Sequence, residues 1–428
     1  MKNMRNPTLL LLLCGALYAS AGESSTHTFK KMQLSDKFWC EGATFGDFNH
    51  DGNRDIVSGP YWYEGPEFKK RHEFYPATKA FKRKKSDGAE ETVEGFEGAL
   101  GVNNAYSDNF FAFACDFNKD GWDDILIIGF PGEQTAWFEN PKRGEKPWPK
   151  HVVFETTDNE SPTFTDITGD GKPELVCSSK GSYGYAEPDW SDSAKPWRFH
   201  AISPNNGYQK FTHGMGVGDV NGDGRADLIE KDGWWEHPAS LAADPLWKFH
   251  KYDFNPGSHG GAQMYAYDVN GDGLNDIITS FAAHGFGLVW YEQIRTNGDI
   301  TFQQHVILNV EQKRAPNKDG VAFSEIHAID LVDMDGDGLK DIVTGKRFWS
   351  HGRTGDPDRN SAAVLYWFKL VRNENHTVDF VPHLIDDDSG VGTQIVAGFC
   401  SNEKYPDIVV GNKKGTFYFR HEIKQPTP

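Results

Sequence analysis

Short apolar segments of strand length alternate with polar, glycine-rich segments along nearly the whole chain. A representative unit is 218–229, in which a run of Asp, Asn and Gly leads directly into Leu228 and Ile229. Short apolar runs bounded by Gly, Asn and Asp are typical of β-strands joined by tight turns. The pattern therefore predicts an all-β chain in which each polar segment is the loop of a hairpin.

The polar part of this unit has the residue spacing of a calcium-binding loop. Its oxygen-bearing side chains stand at alternate positions and end on a carboxylate: Asp219, Asn221, Asp223 and Asp227. Gly224 permits the sharp turn, and the carbonyl of Arg225 is free to point inward. Such a set of oxygen ligands suits a hard cation of the size of calcium.

The EF-hand motif begins in the same way, and Glu230 stands where that motif places its bidentate Glu. Other copies of the loop do not keep this feature, because the equivalent positions hold Ser58, Ile127, Thr279 and Thr344. Each copy also runs into an apolar, strand-like stretch and not into a helix. We therefore expect calcium loops within β-hairpins.

Six copies of the loop recur at intervals of roughly 50 to 70 residues, and repetition of this kind indicates a solenoid, a propeller or an array. The predicted calcium ligands are Asp47, Asn49, Asp51, Asp55, Asp116, Asn118, Asp120, Asp124, Asp166, Asp170, Glu174, Asp219, Asn221, Asp223, Asp227, Asp268, Asn270, Asp272, Asp276, Asp333, Asp335, Asp337 and Asp341. A seventh copy around 398–411 keeps Asp407 but has lost most of its carboxylates, so we expect no ion there.

Two further sequence motifs recur between the loops. One is an aromatic pair followed by an acidic residue, as in Trp234-Trp235-Glu236, and the other ends in His, as in 247–250. With the two strands around each loop they make a four-stranded unit, which is the blade of a β-propeller. Residues 26–32 match a fourth strand, and 415–419 match a third strand with nothing after it. We therefore predict a seven-bladed propeller whose ring is closed by the N-terminal strand.

The chain resembles the FG-GAP and VCBS repeat families in the segment Phe45 to Ile56 and its copies. That resemblance implies a β-propeller with calcium in its hairpin loops. The segments 212–219 and 233–236 are similar to the propeller part of aldos-2-ulose dehydratases. This second resemblance implies a lyase that removes water from a keto-sugar.

The first 21 residues have the features of a signal peptide, with basic residues, the apolar run Leu9 to Leu13 and small residues at 19–21. We therefore expect export to the periplasm or the extracellular space and a single propeller over residues 22–428. Lipid anchoring through Cys14 is the alternative, although the bulky Leu13 precedes it. No other stretch is long and apolar enough to span a membrane.

The formal charge of −18 argues against nucleic acid as a partner. Many of the carboxylates lie in the repeated loops, where calcium would offset them. Four cysteines remain after cleavage, and their positions in the repeat disagree, so we expect unpaired thiols: Cys40, Cys115, Cys177 and Cys400.

Histidines that do not recur from unit to unit are the best candidates for chemistry. The repeat places four of them on the face opposite the calcium loops: His213, His259, His284 and His327. Imidazole with carboxylate suits zinc, manganese or iron, so we predict a transition-metal site on His213, His259 and His327. Oxygen ligands would come from Glu41, Glu160 or Glu325. We expect His284 or Tyr265 to carry a proton.

Three functions fit these observations. In the first, the metal-bearing face acts on a keto-sugar or a uronic acid as a lyase or dehydratase, with Tyr106, Tyr265 and Trp349 available for sugar contacts. In the second, the same face of a calcium-stabilised propeller binds a glycan or a protein without catalysis. The third is an adhesion protein, which would need further domains.

Overall fold

The computed structural model describes residues 26–77, 80–85, 87–94, 106–143, 147–374 and 377–424. The predicted signal peptide, with Cys14, lies outside these residues. Within the described part, none of the helices is long and apolar enough to cross a membrane.

The strands follow one another in groups of four. Strand β1 spans Thr26–Ser35, and the first group contains β2 (Ala43–Gly46), β3 (Asp55–Ser58), β4 (Tyr61–Tyr63) and β5 (Arg71–Glu73). A hairpin follows, made of β6 (Ala80–Lys84) and β7 (Glu90–Glu94). The second group contains β8 (Phe111–Cys115), β9 (Asp124–Ile128), β10 (Glu133–Phe138) and β11 (Lys150–Thr157). The third contains β12 (Thr163–Thr165), β13 (Glu174–Ser179), β14 (Ser182–Glu187) and β15 (Arg198–Ala201).

The same order continues to the end of the chain. The fourth group contains β16 (Met215–Gly218), β17 (Asp227–Glu230), β18 (Gly233–Glu236) and β19 (Lys248–Lys251). The fifth contains β20 (Gln263–Tyr267), β21 (Asp276–Ser280), β22 (Leu288–Thr296) and β23 (Asp299–Leu308). The sixth contains β24 (Ile329–Val332), β25 (Asp341–Gly345), β26 (Leu365–Arg372) and β27 (Val378–Asp386), with the short helix α1 (Gly352–Gly355) before β26. The last strands are β28 (Ile395–Gly398), β29 (Asp407–Asn412) and β30 (Gly415–Lys424).

The described strands form five four-stranded sheets, one eight-stranded sheet and the β6–β7 hairpin. Each four-stranded sheet is an antiparallel meander, as in a propeller blade. The prediction of an all-β, propeller-like fold is therefore confirmed. Seven separate sheets are not found, because the fourth and fifth groups join through the parallel pair β16–β20.

Gly216 explains why these two groups join. A Cβ atom at this position would lie 1.8 Å from the carbonyl oxygen of Met264, so only glycine allows the two strands to approach. In the pairing, Met215 lies opposite Gln263 and Gly216 lies opposite Met264. The repeat predicted a blade here, but it gave no indication that a missing side chain merges two sheets.

The N-terminal strand pairs with the last strand, as predicted. Strand β1 runs antiparallel to β30, from Thr26 opposite Lys424 to Ser35 opposite Thr416. The sheet then has the order β1-β30-β29-β28, so residues from the two ends of the chain complete one meander. This pairing covers the outer edge of β30, which would otherwise be exposed.

The apolar core lies between neighbouring groups of strands. Val57 and Trp62 from the first group pack with Ala112 and Ile125 from the second, and further clusters of this kind follow along the chain. Among the described cysteines, Cys40 and Cys177 are buried, Cys115 and Cys400 are half-buried, and none forms a disulfide.

Candidate functional site

Four side chains that are able to ligate a metal meet where the innermost strands begin. We call them the axial cluster: Glu160, His213, His284 and His327. One ligand atom of each lies within 4.8 Å of the others. Glu160 precedes β12, His213 precedes β16 and His327 precedes β24, so the phase of the repeat brings them together. His284 follows β21 and reaches the same place from the second strand of its group.

The imidazole rings of the axial cluster pack edge to face. The ring centroids of His213 and His284 are 4.7 Å apart, and those of His284 and His327 are 4.4 Å apart. Within the described residues, several of their buried nitrogen atoms have no hydrogen-bond partner: His213 Nε2, His284 Nδ1, and both Nδ1 and Nε2 of His327. Buried polar atoms are nearly always hydrogen-bonded, so this group calls for an explanation.

The tautomer of His213 is fixed by the backbone. Its Nδ1 lies 2.7 Å from the carbonyl oxygen of Phe211, which is only an acceptor, so the ring proton is on Nδ1. In the neutral ring the lone pair on Nε2 points to the carboxylate of Glu160, and Nε2 lies 3.4 Å from Glu160 Oε2. A histidine oriented in this way by a carbonyl is a common arrangement for a metal ligand.

Burial keeps two of the histidines neutral. Together with repulsion from His213 and His351, it lowers the pKa of His284 to about 2. Burial also lowers the pKa of His327 well below its usual range. In Glu160, burial acts to raise the pKa, but the contact with His213 and the charge of Arg347 outweigh it and lower that pKa to about 2. Neutral imidazole and ionised carboxylate are the forms that bind a metal.

A buried arginine connects the axial cluster to a second carboxylate. Arg347 follows β25, and its Nε donates to Glu41 Oε2 at 2.8 Å, while its Nη1 lies 3.5 Å from Glu160 Oε2. All three side chains are buried. Glu41 therefore acts on Arg347 and has no direct contact with the histidines, whereas Glu160 belongs to the cluster itself.

A second group of ligating side chains shares His284. It contains Glu325 and His351, again with ligand atoms within 4.8 Å of one another. His351 Nδ1 lies 2.9 Å from Asp356 Oδ1, and its ring centroid lies 4.3 Å from that of His284. Burial, with repulsion from Asp356, raises the pKa of Glu325 to about 8. Sequence reasoning missed His351, because it lies in an insertion between β25 and β26 that has no counterpart in other units.

Two of the predicted site residues lie elsewhere. His259 is exposed in the connection between β19 and β20 and is not part of the axial cluster. It stands three residues earlier in its unit than His213 and His327 do in theirs, and this offset leaves it in the loop. Tyr265 packs in the core between β20 and β24, and its hydroxyl donates to the carbonyl of Ile329 at 2.9 Å. Burial raises the pKa of Tyr265 well above its usual range.

The repeated loops have a common hydrogen-bond pattern at the opposite ends of the inner strands. In the loop of the fourth group, Asp219 accepts from the backbone N–H groups of Asp223 and Gly224 at 3.1 and 2.8 Å. Ligand atoms of three acidic side chains lie within 4.8 Å of one another in two loops: Asp166, Asp170 and Glu174, and Asp333, Asp335 and Asp341. The calcium role of all the predicted loop ligands stays a prediction.

The sequence of this loop region matches a known family model. Residues 116–177, which hold two of the six loops, match the model of the FG-GAP-like repeat. This segment is similar to an FG-GAP-like repeat. This confirms the resemblance that the loop sequence predicted, whereas the resemblance to dehydratases stays a prediction. No curated protein gives a significant match to the whole sequence.

Solved structures that are similar to this chain share little sequence with it. A lectin from Agrocybe aegerita that recognises non-reducing terminal N-acetylglucosamine is 17% identical, with 84% of this chain and 81% of that chain covered and a TM-score of 0.43. The rhamnogalacturonan lyase YesW is 12% identical over 94% of this chain and 73% of that chain, with a TM-score of 0.39. Because both TM-scores are below 0.5, the function is inferred from the site alone.

The carboxylate that closes each repeated loop has a structural role. Asp227 is buried and accepts from the backbone N–H groups of Val220 and His237, both at 2.8 Å, so it ties the loop to the third strand. Asp407 makes the same contacts in the seventh copy, where it accepts from Ser401 N and His421 N. These contacts need no ion, which explains why Asp407 persists where the other carboxylates are gone.

The recurring histidines of the outer strands form a different kind of group. In the fourth group of strands, His250 stacks on Trp234 with ring centroids 4.0 Å apart, and its Nε2 lies 2.7 Å from Glu236. Equivalent stacks are formed by His72, His151, His200, His305 and His383. Their repetition supports a structural role and separates them from the axial cluster.

Proposed function

We propose that this protein is an exported, metal-dependent lyase or dehydratase that acts on a keto-sugar or uronic acid at the axial cluster. The observation that carries this proposal is the meeting of three histidines and Glu160, with ligand atoms within 4.8 Å and unpaired buried nitrogens. Three imidazoles with one carboxylate suit zinc, manganese or iron.

The fit of these residues to a metal ion rests on the forms that they adopt. His284 and His327 are neutral, Glu160 is ionised, and His213 presents Nε2 because its Nδ1 donates to a carbonyl. A bound ion of this type supplies Lewis-acid polarisation of a substrate carbonyl. Arg347 holds the carboxylate of Glu160 in place from the other side, with Glu41 as its second partner.

The open side of the site is near His284 and His351. Their side chains are 32% and 37% exposed, whereas His327 is only 1% exposed, so a substrate would approach from there. His351 donates through Nδ1 to Asp356, which leaves Nε2 to accept the proton next to the substrate carbonyl. In the elimination, the C–H bond at the carbon α to the carbonyl breaks, and a C=C bond forms between the α and β carbons. The C–O bond at the β carbon breaks, and the leaving oxygen is protonated.

The scaffold belongs to the same proposal. We infer a single seven-bladed ring over residues 22–428, in which the eight-stranded sheet counts as two blades. Support comes from the β1–β30 pairing and from a core cluster in which Ala43 and Ile56 of the first group pack with Val409 and Tyr418 of the last. Calcium in the FG-GAP-like loops would offset their grouped carboxylates and hold the hairpins.

Elemental analysis of the purified mature protein tests the metal centre. We expect about one transition-metal ion per chain, with loss of that ion in His213→Ala and His327→Ala. His250→Ala is the matched control, because it removes an outer-strand histidine that stacks on Trp234 and should leave the ion in place. A protein without a transition metal, or one in which all three variants retain it, contradicts the proposal.

Turnover is tested with keto-sugars and with polymers of uronic acids, by the ultraviolet absorbance of the unsaturated product. We expect product from the wild-type protein and none from His327→Ala. If the metal is present and no substrate of either class reacts, the metal is structural, and the protein is a non-catalytic glycan- or protein-binding propeller.

A further inference from the structure

Three aromatic side chains pack together beside the axial cluster, two of them half-buried and one exposed. Phe211 lies two residues before His213, and 43% of it is exposed. Its ring packs at 5.4 Å and 67° against Phe130, from the turn between β9 and β10, and Tyr106 lies 5.2 Å from Phe130. We call these three residues the aromatic platform. It lies on the same face as the metal ligands, because all of these segments connect strands on that side.

The backbone holds Phe211 in an unfavourable conformation. Its φ angle is 69°, in the left-handed region that non-glycine residues rarely adopt. Two hydrogen bonds keep it there, since its N–H donates to the carbonyl of Asp158 at 2.9 Å and its own carbonyl accepts from His213 Nδ1 at 2.7 Å. Backbone strain of this kind persists where surrounding contacts enforce it, and it concentrates at functional sites. The strain here keeps an aromatic ring exposed next to a candidate metal ligand.

A cation lies beside the platform. The Nζ atom of Lys210 is 5.5 Å from the ring centroid of Phe211 and 5.9 Å from that of Phe130. Lys210 is exposed, and its contacts among the described residues are with these two rings and not with a carboxylate. Its stem packs on Gly132, where a Cβ atom would lie 3.0 Å from Lys210 Cδ. The ammonium group is free to pair with a negatively charged ligand at this place.

We propose that the aromatic platform and Lys210 form a subsite for one uronic acid ring of an oligosaccharide. The apolar face of a sugar ring would stack on Phe211, and its carboxylate would pair with Lys210. His213 donates a hydrogen bond to the carbonyl of Phe211, so a sugar ring stacked on Phe211 would lie next to the axial cluster. The inference rests on the proposed function and deepens it, since it selects acidic sugars as the substrate class.

Isothermal titration calorimetry on the mature protein tests this subsite. The probes are trimers of galacturonic, glucuronic, mannuronic and guluronic acid, each with its methyl ester, which keeps the rings and removes the charge. We expect at least one acid to bind several-fold more tightly than its ester. Lys210→Ala should reduce the affinity for that acid to the level of the ester. Phe211→Asn, which tolerates the left-handed backbone, should weaken acid and ester alike by about ten-fold.

Matched controls come from exposed residues away from this face. Phe399→Ala removes an aromatic ring that is 53% exposed in the seventh loop, and Lys30→Ala removes an exposed lysine in the middle of the outer strand β1. Neither should change the affinities. Absence of binding to all four acids, or unchanged affinities in Phe211→Asn and Lys210→Ala, would overturn the subsite.

Metal content measured on the same samples separates this inference from the proposed function. If the protein contains no transition metal but still binds the acid more tightly than the ester, and Lys210→Ala abolishes this preference, the subsite is supported and the metal centre is contradicted. If the protein contains its transition metal but Phe211→Asn and Lys210→Ala bind the sugars as the wild type does, the metal centre is supported and the subsite is contradicted.

Discussion

Nε2 of His213 and Oε2 of Glu160 lie 3.4 Å apart, and both side chains are buried. Because Nδ1 of His213 donates to the Phe211 carbonyl, a neutral ring turns the lone pair of Nε2 toward this carboxylate oxygen. Such a contact in a buried place is unfavourable unless a positive charge lies between or beside them. Arg347 supplies part of that charge at 3.5 Å from the same oxygen, and a metal ion held also by His284 and His327 would supply the rest.

Glu160→Gln therefore should weaken transition-metal binding by at least about ten-fold, because the amide keeps the shape but loses the charge. Glu187→Gln is the control, since Glu187 contacts the outer-strand His200 at 3.1 Å and lies outside the cluster. The measurement is a competition titration against a metal-binding dye. Equal affinities in the wild-type protein and Glu160→Gln would show that the carboxylate is not a ligand.

The sequence predicted the parts of the fold and site that depend on the repeat. His213, His327 and Glu160 stand at the same number of residues before the first Asp of their loops. Alignment of the units therefore predicted that these three side chains lie close together, as they do in the structure. His259 was expected beside His213 and His327, but it lies in the exposed loop before β20. It stands three residues farther from its strand than they do, and this difference keeps it out of the cluster.

Other parts of the site depend on contacts that no repeat encodes. His351 and Asp356 belong to an insertion whose path is set by contacts with Glu325 and Ser350. The exposure of Phe211 follows from a left-handed backbone angle, which the sequence around it does not signal. The merged sheet follows from the absence of a side chain at Gly216.

The pairing of β1 with β30 predicts the effect of a truncation. Removing residues 22–34 would uncover the edge of β30 and expose part of the core that contains Phe29, Phe417 and Phe419. We expect the melting temperature to fall by about 10 °C in thermal denaturation followed by circular dichroism. Removal of residues 22–25 alone is the control. An unchanged melting temperature after the longer deletion would contradict closure by this strand.

The sixth loop differs from the others in a way that predicts its calcium affinity. Lys369 forms ion pairs with Asp335 and with Asp337, the latter at 2.9 Å, and these hydrogen bonds outweigh partial burial and raise its pKa. The equivalent positions of other units hold Glu64, Glu139, Glu187, Glu236 and Glu292. The ammonium group thus offsets part of the negative charge of this loop and would compete with a calcium ion for Asp335 and Asp337.

We therefore expect Lys369→Gln to bind about one calcium ion more per chain than the wild-type protein at low free calcium, counted after equilibrium dialysis. Lys340→Gln is the control, because Lys340 belongs to the same loop but its Nζ lies over the ring of Tyr267. The same calcium count in Lys369→Gln and the wild type would show that the lysine does not compete with the ion.

The buried closing carboxylates give the calcium-free protein a defined pH dependence. Burial raises the pKa of Asp227 to about 7, although the N–H groups of His237 and Val220 act against it, whereas an Asp of an unfolded chain titrates near 4. Between these values the folded state holds a proton that the unfolded state releases, so raising the pH weakens the contribution of Asp227 to stability. That contribution is complete below about pH 4 and smallest above about pH 7.

The difference in unfolding free energy between the wild type and Asp227→Asn should therefore shrink from pH 5 to pH 8 in the presence of a calcium chelator. Urea denaturation at the two pH values measures it, and groups shared by both proteins cancel. In excess calcium the trend should disappear, because the ion offsets the carboxylate charge in the loop. A difference that grows with pH in the chelator would mean that the two backbone hydrogen bonds, and not burial, dominate the ionisation of Asp227.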